Sequence, residues 1–283
     1  MLTRRDALAL LAAGTASPEF AAPVHNDSRL AALESKLGGR LGVSALDTGS
    51  GHTLRHRAGE RFPMCSTFKL LAVAAILRRV DTDCETLDRQ IQVHPSEVVG
   101  WAPVTEKHIG EKLPLRALCE AAITLSDNGA ANLILNALGG PQGVTGYARS
   151  IGDKITRLDR RELALNEGRS GDPRDTTTPD AALADLRKLL VGKGLTPASS
   201  TLLGDWLVAD KQGLVRIRAG APAGWRVGDK TGTGNKATND VAILWPPRRP
   251  PILVAAYIHL SPRPADEQQA ALAEIGRLVS TRL

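Results

Sequence analysis

Strand-like alternation of apolar and polar residues occurs near both ends of this chain, whereas the middle is patterned for helices. Short alternating segments bounded by glycine, proline, asparagine or aspartate are typical of strands. Residues 40–46 alternate in this way and predict a strand, and 52–57 can return as a second strand; residues 225–231, 240–245 and 252–260 are predicted as three further strands. The first two are joined by the turn cluster 47–51, which predicts a hairpin.

The middle of the chain contains longer segments with helical spacing of apolar residues. Every residue of 70–77 is apolar, so we expect a helix that is buried on all sides. A helix over 128–138 should end at Gly139-Gly140-Pro141, because glycine followed by proline is a strong helix stop. The remaining predicted helices are 116–125, 181–191, 197–208 and 265–283.

This order of elements predicts an α/β (α+β) fold with two parts. Strands from both ends of the chain would form one antiparallel sheet faced by the last helix, and the helical middle would be an insertion. We expect a sheet domain made of residues 23–61 and 211–283, and an all-helical domain made of residues 62–210. A catalytic cleft would then lie between the two domains.

Composition narrows the possible partners. The chain has 283 residues and a formal net charge of +6, but only 3% of its residues are aromatic. Its lysines and arginines are scattered and are not interleaved with aromatic residues, so the sequence does not favour nucleic-acid binding. A basic surface of this kind helps to attract small anionic molecules.

The N-terminus is typical of a cleaved export signal. Arg4 and Arg5 precede the apolar segment 7–13, which is too short to span a bilayer, and small residues follow. We therefore predict an export signal over residues 1–22, of the twin-arginine type, and a secreted or periplasmic protein that is not membrane-bound after cleavage. The alternative is an ordinary N-terminal helix.

Metal ligands are not visible in the sequence. The three cysteines have no C-x-x-C spacing, and the six histidines include no H-E-x-x-H pair. The sequence thus predicts neither a metal site nor a cofactor. An odd number of cysteines in an exported chain leaves at least one thiol without a partner in the chain.

Three short motifs point to nucleophilic chemistry. Ser66-Thr-Phe-Lys69 begins the all-apolar helix, so Ser66 and Lys69 share one face. Burial should lower the pKa of Lys69 and favour the neutral amine, which is a plausible base for a serine. The alternative is a helix-capping serine with a lysine that extends to solvent.

The other two motifs are Ser126-Asp127-Asn128 and Lys230-Thr231-Gly232. Taken alone, the former is also a good helix N-cap, and the latter also fits a strand that runs into a glycine turn. In this order and in these settings, however, S-x-x-K, S-D-N and K-T-G are the set shared by class A β-lactamases and penicillin-binding proteins.

From about Leu30 to its C-terminus the chain resembles the class A serine β-lactamases. Segments 63–69, 104–108 and 172–179 are close matches. Segment 159–166 resembles the family's Ω-loop, here 160–175, in which a glutamate and an asparagine four residues later hold the deacylating water. Glu162 and Asn166 match those positions, and penicillin-binding proteins lack that glutamate. The alternative for these two residues is a polar pair on a surface loop.

The resemblance implies a mechanism in which Ser66 attacks the β-lactam carbonyl and becomes acylated. Either Lys69 or Glu162, acting through water, would take the serine proton. Ser126 would pass a proton to the ring nitrogen, while Glu162 and Asn166 would drive a water onto the acyl-enzyme. The implied oxyanion hole consists of the N–H groups of Ser66 and Thr233.

The resemblance also implies the substrate-binding residues and the partner. The partner is a small β-lactam, and we expect a monomer. Trp101 matches an aromatic residue at the site entrance, although a core tryptophan is the alternative. The substrate-binding residues implied are Asn128, Lys230, Thr231, Thr233, Arg216 and Trp101. Two other functions remain open, a D,D-peptidase or penicillin-binding protein and a non-hydrolytic β-lactam sensor.

The chain departs from the family in its carboxylate-binding arginine and in the residue after Glu162. Many relatives place the arginine on the strand after K-T-G, but here Arg216 matches the position used by another subset. Leu163 replaces a common proline, and the family precedent predicts a cis Glu162–Leu163 bond. The family also implies an ion pair between Arg160 and Asp175 at the base of the Ω-loop.

The cysteines depart from the family as well. A frequent family disulfide includes the position of Cys119, but its partner position is Val73. Certain carbapenem-hydrolysing relatives pair a cysteine at the position of Cys65 with one at the position of Gly234. We therefore expect neither bridge in this chain.

Overall fold

The computed structural model describes residues 24–25 and 27–283. The predicted export signal and its arginine pair lie outside the described residues. Within the described part of the chain, no helix combines the length and the apolar character that crossing a membrane requires.

The strands and helices of the described residues are labelled in chain order. The strands are β1 (Val24–His25), β2 (Arg40–Asp47), β3 (Thr53–His56), β4 (Phe62–Pro63), β5 (Gln90–Gln92), β6 (Lys112–Pro114), β7 (Thr176–Thr177), β8 (Arg226–Gly234), β9 (Ala237–Trp245) and β10 (Ile252–His259). The helices are α1 (Ser28–Leu37), α2 (Phe68–Val80), α3 (Leu115–Thr124), α4 (Asn128–Leu138), α5 (Pro141–Ser150), α6 (Pro179–Leu190), α7 (Pro197–Val208), α8 (Ile217–Gly220) and α9 (Ala265–Arg282).

The main sheet has six strands in the order β1-β3-β2-β10-β9-β8. Its neighbouring strands run antiparallel, apart from the two-residue strand β1, which pairs with β3 in parallel. The predicted fold class is therefore confirmed, and strands from both ends of the chain build one sheet. The parallel edge strand β1 was not predicted.

The central strand β10 is buried on both faces, and alternate side chains enter different cores. Ile252, Val254 and Ile258 pack into the core under α1 and α9. Leu253 and Tyr257 point to the opposite core, which also contains α2, α6 and α7. Because successive strand residues face opposite sides, a sheet covered on both faces has a nearly continuous apolar strand at its centre.

Helix α2 lies at the centre of the helical region. Its residues 68–77 are all buried, as the apolar run predicted. Helices α3, α4, α5 and α7 pack around it. The helix follows directly on a 3-10 turn, Cys65–Thr67, so the segment that contains Ser66 is fixed to a helix at the centre of this core.

The structure adds elements that the sequence patterns did not predict. Helix α1 begins after the capping side chain of Asp27, and α5 begins with Pro141, directly after the predicted stop of α4. The region 62–210, which we expected to be all-helical, also contains two short antiparallel ladders, β4–β7 and β5–β6. Such two- and three-residue strands are too short to leave a periodic signal.

Candidate active site

A cleft of about 420 Å³ brings together residues from the helical region and from the sheet. The helical region and its loops supply most of the lining, and strand β8 and the segment before α8 supply the rest. Its lining residues are Ser66, Trp101, Ser126, Asn128, Leu163, Asn166, Gln212, Arg216, Thr231 and Thr233. Lys69, Glu162 and Lys230 are buried and lie against these residues.

The turn that contains Ser66 is held against the end of strand β8. A Cβ atom on Gly232 would lie 2.7 Å from the carbonyl oxygen of Met64, so only glycine allows this approach. Asn239 on β9 donates hydrogen bonds to the carbonyls of Pro63, at 2.9 Å, and Met64, at 3.2 Å. The backbone next to Ser66 and the backbone leading to Thr233 are therefore in close contact.

Lys69 lies at the centre of a buried polar network. Its Nζ donates to Asn128 Oδ1 at 2.7 Å and to the Ser126 carbonyl at 2.8 Å, and it lies 3.1 Å from Glu162 Oε1. Burial lowers the pKa of Lys69, and the neighbouring Glu162 carboxylate opposes part of that effect. The predicted direction of this pKa shift is confirmed.

Glu162 is oriented by its neighbours in the Ω-loop and by helix α4. Asn166 Nδ2 donates to Glu162 Oε2 at 2.6 Å, and the Asn132 side chain contacts the Glu162 backbone. Among the described residues, the buried Asn166 Oδ1 finds no hydrogen-bond donor, and the buried Glu162 Oε1 is approached only by the Lys69 ammonium, at 3.1 Å. A water molecule that donates both of its protons has the chemistry that these two oxygens need.

The base of the Ω-loop is closed by an ion pair. Arg160 Nε lies 2.6 Å from Asp175 Oδ2, and the same buried carboxylate accepts the N–H groups of Asp159 and Arg160. The predicted pair is confirmed. The Glu162–Leu163 peptide bond is cis, which confirms that prediction as well.

Ser126 lies between two lysines. Its Oγ is 3.4 Å from Lys69 Nζ and 3.2 Å from Lys230 Nζ. Burial lowers the pKa of Lys230 to about 8. Ser126 also has a positive φ of 57°, which holds it at the bend before Asp127, the N-cap of α4.

Arg216 is buried and faces the ends of β8 and β9. Its guanidinium donates to Thr233 Oγ1 at 2.7 Å, to the Asn239 carbonyl at 2.7 Å and to the Gly232 carbonyl at 3.1 Å. Burial lowers its pKa from the ordinary value, and the Asp240 carboxylate opposes this shift. The cleft therefore has a fixed positive group beside Thr231 and Thr233.

Trp101 lies at the mouth of the cleft and is 57% exposed. Its indole N–H donates to the Leu125 carbonyl at 2.8 Å, which fixes the ring position. The alternative of a core tryptophan is therefore excluded. Three other apolar side chains are exposed nearby. Leu163 lines the cleft, and Leu214 and Val215 directly precede Arg216 in the sequence.

The model of the "Beta-lactamase enzyme family" matches residues 26–283. A solved structure of an ancestral (GNCA) class A β-lactamase is 57% identical, with a TM-score of 0.89, and the match covers 90% of this chain and 99% of that one. The chain belongs to the class A β-lactamases. Curated relatives agree, since β-lactamase AST-1 of Nocardia asteroides is 50% identical over 254 residues, 89% of this chain and 82% of that protein. β-Lactamase CTX-M-8 of Citrobacter amalonaticus is 41% identical over 265 residues, 93% of this chain and 91% of that protein.

In this class A β-lactamase, three buried acids lie close enough to Lys230 and Arg216 to interact with them electrostatically. They are Asp210, Asp229 and Asp240. Burial raises the pKa of Asp210 and Asp240, and it raises the pKa of Asp229 to about 6. Sequence reasoning missed these three residues. The one signal available was Asp229 directly before K-T-G, and an acid next to a lysine is too common to indicate burial.

The cysteines of this class A β-lactamase all lie in the described part of the chain and are free thiols. Cys65 is buried, and burial raises its pKa to about 12. A Cβ atom on Gly234 would lie 2.5 Å from Cys65 Sγ, so Gly234 leaves room for the thiol. Within the described residues, no group of three potential ligands could hold a metal ion.

Proposed function

We propose that this enzyme hydrolyses β-lactam antibiotics through an acyl-enzyme on Ser66, released by a water that Glu162 activates, and thereby confers resistance. The observation that carries this proposal is the pair of buried acceptors on Glu162 and Asn166, of which the Asn166 oxygen has no donor and the Glu162 oxygen lies 3.1 Å from the Lys69 ammonium. A carboxylate that takes a proton and an amide that orients the same water are what deacylation needs.

Acylation requires a group that removes the Ser66 proton. Lys69 and Glu162 form one buried pair at 3.1 Å, so a proton can pass between them and either one can serve as the base. Burial favours the neutral amine of Lys69, which supports its role in this step. The N–H groups of Ser66 and Thr233 would stabilise the oxyanion, each contributing about 3 kcal/mol.

The ring nitrogen must receive a proton when the lactam bond breaks. Ser126 is suited to deliver it, because its Oγ lies within hydrogen-bond distance of both Lys69 and Lys230. The hydroxyl can pass its proton to the nitrogen and be reprotonated by a neighbouring ammonium group. The lysines thus link the base that takes the Ser66 proton to Ser126, the acid that then protonates the ring nitrogen.

Lys230, Thr231, Thr233 and Arg216 would bind the carboxylate that β-lactams carry next to the ring nitrogen. The guanidinium and ammonium groups are both buried, so their attraction for an anion is little screened by solvent. Asn128 would hold the acylamide side chain of the substrate, and Trp101 would cover it at the mouth of the cleft. The two regions 62–210 and 211–283 each supply part of this site, which supports a division into two domains.

Ring opening of a penicillin by the purified enzyme tests the proposal. We expect full turnover by the natural chain, none by Ser66→Ala, and unchanged turnover by the control Ser35→Ala on the exposed side of α1. A D,D-peptidase would instead release D-alanine from a peptide and stay acylated by the penicillin, as a non-hydrolytic sensor would. Sustained ring opening at substoichiometric enzyme therefore separates the β-lactamase from both alternatives.

Location and assembly are proposals of the same kind. We propose an exported, periplasmic or secreted enzyme that acts as a monomer on small β-lactams and uses neither metal nor nucleic acid. If the enzyme uses no metal, a dialysed, chelator-treated sample should keep its activity. Light scattering tests whether it is a monomer. A mass that matches a dimer would contradict the monomer.

A further inference from the structure

A second and larger cleft, of about 810 Å³, lies between helix α6 and the loop 151–155 that follows α5. It shares no lining residue with the catalytic cleft. Its lining is mainly aliphatic and includes Leu46, Ile151, Ile155 and Leu183. Clefts that bind small organic molecules have about 300–1,000 Å³, so this one is large enough for a ligand.

Two buried carboxyl groups lie on the lining of this second cleft. Asp185 is 3% exposed and Asp153 is 8% exposed, and the two side chains are hydrogen-bonded to each other. Asp153 also accepts the backbone N–H groups of Ile155 and Thr156. In the described part of the chain, no donor group reaches Asp185 Oδ2.

Two carboxyl groups can share a hydrogen bond only if one of them keeps a proton. Burial and the neighbouring Asp153 accordingly raise the pKa of Asp185 to about 9. Lys188 and Arg149 oppose this shift only in part, and although Asp153 has its backbone donors, Asp185 Oδ2 still has none among the described residues. The shared proton gives the two carboxyl groups one hydrogen-bond donor. A primary ammonium group would give them three N–H donors and a positive charge.

The surrounding charged and titratable groups do not supply what Asp185 lacks. Lys188 donates to the Ile151 carbonyl, and Arg149 donates to the carbonyls of Asp153 and Thr156. Asp180, at the rim, is paired with Arg55. The remaining groups that face the pair or the rim are the phenols of Tyr147 and Tyr257 and the exposed side chains of Lys154 and Arg187.

We propose that this second cleft binds small apolar molecules that carry a primary ammonium group. The ammonium would lie beside Asp153 and Asp185 and take the place of the proton that they share, and the hydrocarbon part would lie against the aliphatic lining. When the ammonium enters at neutral pH, Asp185 loses its proton to solvent, so the two carboxylates then face one organic cation instead of one shared proton.

Calorimetric titration with 2-phenylethylamine and its neutral analogue 2-phenylethanol tests this inference. We expect the amine to bind about tenfold more tightly than the alcohol at about pH 8, because a charged donor forms the stronger hydrogen bond. Amine binding should release about one proton and tighten from about pH 6 to pH 8, while alcohol binding should not depend on pH. Equal binding of both compounds, or amine binding without proton release, would overturn the inference.

Three variants locate the binding. Asp185→Asn should remove the preference for the amine and its pH dependence, and Ala184→Phe, which fills the cleft without changing either acid, should remove the binding of both compounds. Asp205→Asn, an exposed acid outside the cleft, should change nothing. Since none of these residues belongs to the catalytic cleft, all three variants should keep their penicillin turnover. Amine binding that survives both Asp185→Asn and Ala184→Phe would place the ligand elsewhere and refute the site.

Discussion

Lys69 and Lys230 flank the hydroxyl of Ser126 at 3.4 Å and 3.2 Å. Both ammonium groups are fully buried, and burial lowers the pKa of each because the charged form loses its hydration. The two cations also disfavour each other, since Lys69 further lowers the pKa of Lys230. With a pKa of about 8, the Lys230 ammonium can therefore exchange its proton close to neutral pH.

The pKa of about 8 predicts how substrate binding by Lys230 depends on pH. Below that value the side chain is a cation and attracts the substrate carboxylate, and above it the charge is lost. We expect KM for a penicillin to rise with pH above about 8, by up to about tenfold per unit. Lys230→Arg should keep its charge and move this rise to higher pH, and a KM that is flat to pH 10 in the natural enzyme would contradict the assignment.

In the proposed mechanism, Arg216 supplies the second positive charge for the substrate carboxylate. Arg216→Ala should raise KM by about 10- to 100-fold, since a charged hydrogen bond contributes about 1.5–3 kcal/mol. Arg226→Ala is a matched control, because Arg226 is a cation at the far end of β8 and is largely exposed. Steady-state kinetics of a penicillin check both variants. An unchanged KM in a correctly folded Arg216→Ala would assign the carboxylate to another residue.

At the scale of elements, the Ω-loop contacts both parts of the proposed deacylation site, the segment that contains Glu162 and the turn that contains Ser66. Asp175, which is fully buried, joins the loop ends through Arg160 and through two backbone N–H groups. Its backbone carbonyl accepts the N–H of Met64, two residues before the nucleophile. The position of Glu162 and the turn that contains Ser66 therefore depend on the same anchor.

Removing the charge of this anchor should loosen the loop. We expect Asp175→Asn to lower the free energy of unfolding by on the order of 3 kcal/mol, because it leaves Arg160 without its buried partner. Deacylation should slow more than acylation, since Glu162 is the residue displaced. Asp172→Asn, in an exposed pair with Arg174, is the control and should leave both the thermal midpoint and the acyl-enzyme lifetime unchanged. Equal effects of the two variants would refute the role of the anchor.

Elements with strong local signals could be predicted from the sequence. Helix α4 was predicted with its observed bounds from its apolar spacing and its glycine stop, whereas the apolar run 70–77 located only the middle of α2. Helix α5 was missed because it has two glycines and few apolar residues, and packing against α2 and α4 stabilises it. Tertiary contacts of this kind override weak local preference and are not visible in a sequence.

The same limit applies to the candidate site. The motif residues could be named because a family resemblance exists, and their catalytic roles stay predictions. Asp210, Asp229 and Asp240 could not be named, because each of them alone resembles a surface acid. Only the packing of three separate segments places them together behind Lys230 and Arg216.

At the scale of the whole molecule, two cores enclose a sheet whose central strands contribute side chains to both. Several acids are buried with this sheet and its helices. Asp185 and Asp229 have their pKa raised from 3.8 to about 9 and about 6, mainly by burial. Since these acids hold a proton in the folded protein and lose it in the unfolded chain, folding takes up protons above pH 4.

The contribution of these two acids to the stability of the enzyme should therefore fall as pH rises from about 5 to about 8, and it should outweigh the opposite contribution of His259, whose pKa is lowered by burial. Carboxyls with a lowered pKa, such as Asp27 at about 2, add stability only as pH rises to about 4 and do not reverse this trend. Thermal unfolding at several pH values checks the slope. Asp185→Asn should flatten it above about pH 6. A midpoint that rises steadily up to pH 8 would contradict the assignment of these acids.

The most direct test of the proposed mechanism is time-resolved mass spectrometry after a brief exposure to benzylpenicillin, on the natural enzyme and on Glu162→Gln. The account predicts that the natural enzyme returns to its free mass within the first measurement. Glu162→Gln should retain a penicilloyl adduct on the peptide that contains Ser66, because it can form the ester and cannot activate the water. Rapid loss of the adduct in Glu162→Gln, or an adduct that persists on the natural enzyme, would contradict the account.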